Sequence, residues 1–287
     1  MVGVILAGGT GTRLGPITQV CSKQLLPVFD KPMIYYPLAL LMATGIQEFI
    51  IICTPRDKLA FETLLGDGSK WGIELTVLVQ EKPEGLPHAL GLCHHIIGDR
   101  ASTMILGDNI FYGSGIAARI ANARKMTGAT MFGYLVDNVS PFGTFEVNSG
   151  GQPFGLVEKP VSGGRGFAIP GIYHFDHSVF ERISKLKLST RGEYEIIDLL
   201  NSYLIDNLLT HYIFDRGTAW LDTGSVQDLN GASEFIRVIQ TRQGMLIGSP
   251  EEVAFRSGWI DAKKLLHLST FFEKSEYGNQ LQKIATG

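Results

Sequence analysis

Short, unbroken apolar runs alternate with helical patterns along the first half of this chain, and that rhythm constrains its fold more than any other feature. Residues 2–7 (VGVILA) and 49–53 (FIIIC) carry no polar side chain at all. A strand that is apolar on both faces must be covered on both, which places it inside a sheet flanked by helices. Residues 75–79, 103–106 and 129–136 read as further strands. Helical patterns fall between them at 32–44 (closed by Gly45), 57–65, 86–97 and 116–126. Strands alternating with helices of about ten residues imply βαβ units and a mostly parallel sheet, whose ligands lie beyond the carboxyl ends of the strands.

The rhythm changes after residue 136. Residues 145–147 and 154–157 read as short strands joined by a glycine-rich turn, and 168–175 as another strand, so β-hairpins are added to the parallel core. Helices follow at 178–186 and 193–206. Ser225 is placed to cap a further helix, with Val226, Leu229, Ala232, Phe235, Ile236 and Ile239 on one face. No linker or repeat interrupts the chain, so one domain, 1–287, is the economical reading. It divides into a core at 1–136, a part with added hairpins at 137–224 and a helical C-terminal part at 225–287.

Where the first strand ends, the sequence runs Ala7-Gly-Gly-Thr-Gly-Thr-Arg13-Leu14. A dinucleotide fingerprint would need its third glycine at Leu14, and a phosphate-loop motif would need a glycine at Arg13, so neither fits. Gly15-Pro16 also stops a helix from starting at once. What remains is a long open loop whose small residues let backbone N–H groups gather round an anion, with Arg13 as a forked cation. A tight turn carrying a surface arginine is the competing reading of these residues alone.

Further motifs resolve that choice. Gly8-Gly-x-Gly-Thr-Arg-Leu-x-Pro-x-Thr18 is followed by Ser22-Lys-Gln-Leu-Leu-Pro-Val-x-Asp-Lys-Pro32. Then come Lys31–Pro37 (KPMIYYP), Leu65–Ser69 (LGDGS), Leu106–Gly113 (LGDNIFYG), Glu158-Lys-Pro160, Arg191-Gly-Glu193 and Ala219–Gly224 (AWLDTG). In this order, over essentially the whole chain, they resemble the sugar-1-phosphate nucleotidylyltransferases, and within them the bacterial glucose-1-phosphate thymidylyltransferases. The resemblance implies a three-layer, Rossmann-like α/β fold of the GT-A/nucleotidyltransferase type. It implies condensation of dTTP with glucose 1-phosphate to dTDP-glucose and pyrophosphate, with Mg2+ as cofactor, as a first step toward dTDP-deoxysugars such as dTDP-L-rhamnose.

The same resemblance assigns roles. Arg13, Lys23 and Lys159 are the catalytic cations, Lys159 on the sugar phosphate. Leu6, Gly8, Gly9, Gly11, Thr12, Gln24, Gln80 and Gly85 bind the nucleotide, with Gln80 reading the base. Gly143, Glu158, Lys159, Ile169 and Tyr173 bind the sugar. Asp108 and Asp222 hold the metal, a count that suits Mg2+, which takes one or two carboxylates and fills its octahedron from phosphate and water. Asp222 competes with a helix-capping role for which Ser225 is the rival. Departures from the family pattern lie at Gly15, Pro87, His88, Phe142 and Pro170, close to base and sugar rather than to the charges. UTP or another sugar phosphate is therefore the alternative substrate, and a non-catalytic relative that binds nucleotide sugars is the second alternative. A glycosyltransferase of the same fold would show Asp-x-Asp, whereas Asp108 is followed by Asn109-Ile110.

Composition excludes other classes. A net charge of -3 gives no overall positive field for nucleic acid. No apolar stretch reaches the roughly 18 residues that span a bilayer, and the N-terminus lacks a basic leader. Cys21, Cys53 and Cys93 form no C-x-x-C pair and read as reduced thiols, Cys53 as core. Partners are thus small molecules, not nucleic acid or membrane, in a cytoplasmic protein that the resemblance makes a homo-oligomer, a tetramer.

Overall fold

In the computed structural model, which describes residues 1–9, 11–123 and 125–287, the apolar runs form the centre of one ten-stranded sheet. Val2–Leu6 pairs in parallel with Glu48–Cys53 on one side and Ser102–Leu106 on the other, and Glu48–Cys53 pairs in parallel with Glu74–Val79. Successive residues feed opposite faces. Ile5, Phe49 and Ile51 pack with Tyr35, Leu38 and the C-terminal Leu265 and Leu281. Val4, Leu6, Ile50 and Ile52 pack with Leu90, Leu199 and Tyr203. Both faces are covered, as the absence of polar alternation requires.

Beyond Ser102–Leu106 the sheet becomes mixed. Ile172–Phe175 runs antiparallel between Ser102–Leu106 and Ala129–Val136. Gly166–Ala168, Gly143–Val147 and Pro153–Glu158 then extend it to the far edge as antiparallel strands. The single strand expected over 168–175 is thus two strands, because Ile169-Pro170-Gly171 leaves the ladder and Pro170 has no N–H to give it. The helix expected over 86–97 is likewise two, Leu86–Leu92 and His94–Ile97, with Cys93 at the break. The first helix begins at Tyr35 rather than 32, since Lys31–Pro32 pairs with Pro27–Val28. Of the helix expected over 116–126, Ile116–Ala123 is helical, and Arg124 lies outside the described residues.

Besides the two-residue strands Pro27–Val28 and Lys31–Pro32, three longer strands among the described residues are absent from the sequence reading. Leu209–Ile213 joins the sheet in parallel with Ala129–Val136. Asn109–Tyr112 and Ala219–Asp222 form a separate two-stranded antiparallel ribbon, in register Asn109↔Asp222. The helix Val226–Gln243 leaves that ribbon, capped by the Ser225 hydroxyl accepting from Asp228 N–H. Its Leu229, Ala232 and Ile236 face the core, while Val226 stays exposed. They pack with Leu14, Leu26, Val28 and Met33, so this helix anchors the segment that follows the glycine loop. Leu14, next to Arg13, is 1% exposed, and emptying such a site costs about 2–5 kcal/mol. Among the described residues no helix is long and apolar enough to cross a membrane.

Candidate active site

The site lies where the central strands end. After Val2–Leu6 the chain opens into the glycine loop, where Gly9 and Gly11 both have positive φ, and continues as three short turns, Thr12–Leu14, Ile17–Gln19 and Lys23–Leu25. After Ser102–Leu106, Gly107 donates its N–H to the Leu6 carbonyl at 2.8 Å. A Cβ at Gly107 would stand 2.9 Å from that carbonyl, so only glycine brings the two strand ends this close. Asp108 follows directly and therefore points into the crevice.

Two cavities meet there. One, of about 260 Å3, is lined by Gly8, Gly9, Gly11, Thr12, Arg13, Leu14, Lys23, Asp108 and Gly224. The other, of about 220 Å3, includes Gly143, Glu158, Lys159, Ile169, Tyr173, Trp220 and Asp222 in its wall. Arg13 and Asp108 belong to both. Gly8, Gly9, Gly11 and Thr12 of the nucleotide set thus line one cavity and the five residues assigned to sugar the other, with a charged boundary shared between them. Thr10 lies outside the described residues.

Charges at the boundary are coupled. Lys23 forms an ion pair with Asp108, both partners largely shielded from solvent. Asn109 donates to Asp108 Oδ1 at 2.9 Å, and the Thr223 hydroxyl donates to the Asp108 carbonyl at 2.9 Å. The ribbon register sets Asp222 opposite Asn109 and hence beside Asp108. Burial, and then the Asp108 carboxylate, hold the Asp222 carboxyl above the usual carboxylate range, against the pull of Lys23 and Arg13. Ser225 takes the capping role, which leaves Asp222 free of it. Two carboxylates that repel each other beside an anion-binding loop are a donor set suited to a hard divalent cation. Among the described residues no three His, Cys, Asp or Glu side chains form a metal cage, so such an ion would take its remaining ligands from substrate and water.

On the sugar side, Lys159 has φ 47 and is followed by Pro160, so its backbone is held in a conformation rare for a side-chain-bearing residue. Its Nζ lies 3.6 Å from Glu158 Oε1. Tyr173 is buried, and burial followed by the Glu158 charge pushes its phenol up. The Ile169 N–H is already donated to the Gly143 carbonyl at 2.8 Å, so neither of those two groups is fully available to a ligand.

Gln80 and Gly85 meet at the other end: Gln80 Nε2 donates to the Gly85 carbonyl at 3.3 Å, and Gln80 Oε1 faces Gly8. Gly85 has φ +102, and a Cβ there would fall 2.2 Å from the Tyr194 carbonyl. Two residues assigned to the nucleotide are buried. Gln24 is 2% exposed and accepts from the Ser22 hydroxyl. Leu6 is buried, with its carbonyl engaged by Gly107.

Sequence reasoning also missed functional neighbours. Asn109 does more than hold Asp108: its Oδ1 accepts from Trp220 Nε1 at 2.6 Å and from Gly171 N–H at 3.2 Å, tying both sides of the sugar cavity to the carboxylate. Arg191 lies 3.5 Å from Glu158 and donates to Glu195 at 2.6 Å. Burial pushes the Glu195 carboxyl up, but hydrogen bonds from Arg191 and Ser189 outweigh it and leave it below its ordinary value. Both signals were present in the LGDN and RGE motifs, which carried no role for these two residues. Cys53 and Cys93 are buried, and burial pushes both thiols up to about 12, so they behave as core groups.

Comparison with known proteins bears on family and fold. The sequence model of the nucleotidyl transferase family matches residues 2–238. A glucose-1-phosphate thymidylyltransferase of Mycobacterium tuberculosis is 45% identical over 284 residues, 99% of each chain. One from Xanthomonas campestris is 46% identical over 285 residues, 99% of this chain and 96% of its own. A Bacillus anthracis structure with bound sucrose, provisionally described as a glucose-1-phosphate thymidylyltransferase, superposes with a TM-score of 0.76 at 36% identity, covering 83% of this chain and 96% of that one. UDP-glucose pyrophosphorylase with UDP-glucose shares the fold, with a TM-score of 0.73 at 24% identity, over 83% of this chain and 98% of that one.

Proposed function

The chain belongs to the nucleotidyl transferase family, and from that premise we propose that it condenses dTTP with glucose 1-phosphate to give dTDP-glucose and pyrophosphate. The observation that carries the reading is the shared boundary: a glycine-loop cavity and a second cavity lined by Glu158 and Lys159 meet at Arg13 and Asp108. That is where two anionic substrates have to come together.

Charge is the obstacle. A sugar phosphate carries about -2 and a nucleoside triphosphate about -4, and two unit charges 4 Å apart repel by about 4 kcal/mol at an effective dielectric of 20. The attacking phosphate oxygen is already anionic, so no general base is required. It forms a bond to the α-phosphorus as the bond from that phosphorus to the α–β bridging oxygen breaks, and pyrophosphate departs with the electron pair. The protein's work is positioning and electrostatic stabilisation.

Loop N–H groups and Thr12 cradle the triphosphate. Arg13, at the boundary, faces both the transferred phosphoryl group and the leaving pyrophosphate. Lys23 exchanges its contact with Asp108 for the triphosphate, and Lys159 holds the sugar phosphate while Glu158 accepts from sugar hydroxyls. Asp108 and Asp222 would hold Mg2+, which supplies neutralisation of phosphate charge when bound. Cytoplasmic placement and a homotetramer belong to the same reading.

Pyrophosphate release from dTTP, UTP, CTP, ATP and GTP with glucose 1-phosphate tests it. Highest kcat/KM with dTTP is expected. Preference for UTP would move the assignment to a uridylyltransferase, the second reading, because Gln80 meets the edge that thymine and uracil share. Absence of release from all five would overturn catalysis altogether.

A further inference from the structure

Gln80 has a neighbour that the chemistry above leaves without a role. Its Nε2 lies 3.3 Å from the Gly85 carbonyl and 3.0 Å from His88 Nδ1. A carbonyl can only accept, so the Gly85 contact fixes Nε2, not Oε1, on this side of the amide. The second amide hydrogen then points at His88 Nδ1, which must offer its lone pair. His88 Nε2 lies 3.4 Å from Glu84 Oε2, four residues earlier, where an N–H is wanted. Both ring nitrogens therefore call for the same tautomer, with hydrogen on Nε2 and none on Nδ1. The ring is also stacked on Tyr194, with centroids 6.3 Å apart and planes at 25°.

The consequence is that both amide hydrogens of Gln80 are spent inside the protein. What Gln80 turns toward the glycine loop is Oε1, 3.8 Å from where a Gly8 Cβ would stand. A lone acceptor recognises a ring N–H. Thymine and uracil carry one at N3; cytosine carries a lone pair there.

Building on the nucleotidyl-transfer reading, we propose that His88 is a positioning residue that locks the Gln80 amide with its oxygen toward the base, so that the site takes pyrimidines with a ring N–H and rejects cytosine. Glu84 and Tyr194 hold His88 in the orientation this needs.

The test compares kcat/KM for dTTP, UTP and CTP in wild type, His88→Gln and His88→Lys, with glucose 1-phosphate as co-substrate. Glutamine can still accept from Gln80, so H88Q keeps the preference for dTTP and UTP over CTP. Lysine offers only donors, which meet the Gln80 amide hydrogen head-on and displace the amide from the Gly85 carbonyl, and the preference falls about ten- to a hundredfold. The KM for glucose 1-phosphate stays within about twofold in both variants, a split that a general loss of structure would not give. An unchanged preference in H88K, or equal losses in H88Q and H88K, would overturn the inference. Wild-type enzyme that turns over neither dTTP nor UTP would instead overturn the activity assignment, so the two failures are distinguishable.

Discussion

Replacing Asn109 by alanine is the sharpest probe of how this site is held. The side chain is 4% exposed and makes three bonds: it donates to Asp108 Oδ1 and accepts from Trp220 Nε1 and Gly171 N–H. Truncation orphans two donors, each at about 1–3 kcal/mol. Trp220 is only half-buried, so water recovers part of the indole's share, and we expect a loss of about 2–4 kcal/mol. For a domain of this size that lowers the melting temperature by about 5–10 °C. Turnover falls as well, because Asp108 loses the donor that orients it. The variant Asn109→Asp separates the two effects. It still offers an oxygen to Trp220 and Gly171 but sets a second carboxylate against Asp108. It melts between wild type and N109A, while turnover stays as depressed as in N109A. Melting followed by calorimetry together with pyrophosphate release provides both readouts. An N109A protein that melts within about 1 °C of wild type would refute the accounting, since two stranded donors cannot be free of cost.

Other expectations follow from the charges at the boundary. Arg13 is exposed, so Arg13→Ala leaves the melting temperature within about 2 °C of wild type while lowering kcat by about a hundredfold or more. A loss of stability matching the loss of rate would assign Arg13 a structural part. Asp222 is held above its ordinary value by burial and by Asp108, so the folded state favours its protonated form. Its contribution to stability falls as pH rises from below the ordinary aspartate value to above the raised one. In metal-free protein, Asp222→Asn therefore melts higher than wild type at neutral pH, the gap closes near pH 4, and turnover is nearly abolished. A gap that widened as pH fell would reverse the assigned sign.

Much of this was legible in the chain, for physical reasons that also mark where legibility ended. Val2–Leu6 and Glu48–Cys53 were readable because a doubly covered strand leaves no room for polar residues. Leu209–Ile213 (LTHYI) was not, because it is half-buried and mixes Thr and His into a pattern with no clear period. The ribbon strands Asn109–Tyr112 and Ala219–Asp222 hold four residues each, too few for periodicity to speak. Pro170 was visible, yet only the sheet shows that the chain leaves its ladder there. At the site, the cations and carboxylates came from motif order, and only the structure shows that Gln24, in the same motif, is buried against Ser22. Asn109 went unassigned because its three partners lie at 108, 171 and 220 and meet only in three dimensions.

The pairing of Asn109 with Asp222 across more than a hundred residues of chain has an evolutionary corollary. Acceptor preference in such a scaffold is not a cassette to be traded among relatives. A graft of residues 137–224 would carry with it Leu209–Ile213, which pairs with Ala129–Val136 in the main sheet, and Asp222, one of the two carboxylates proposed to hold the metal. Point changes along the crevice leave those pairings intact, whereas exchange of the segment does not.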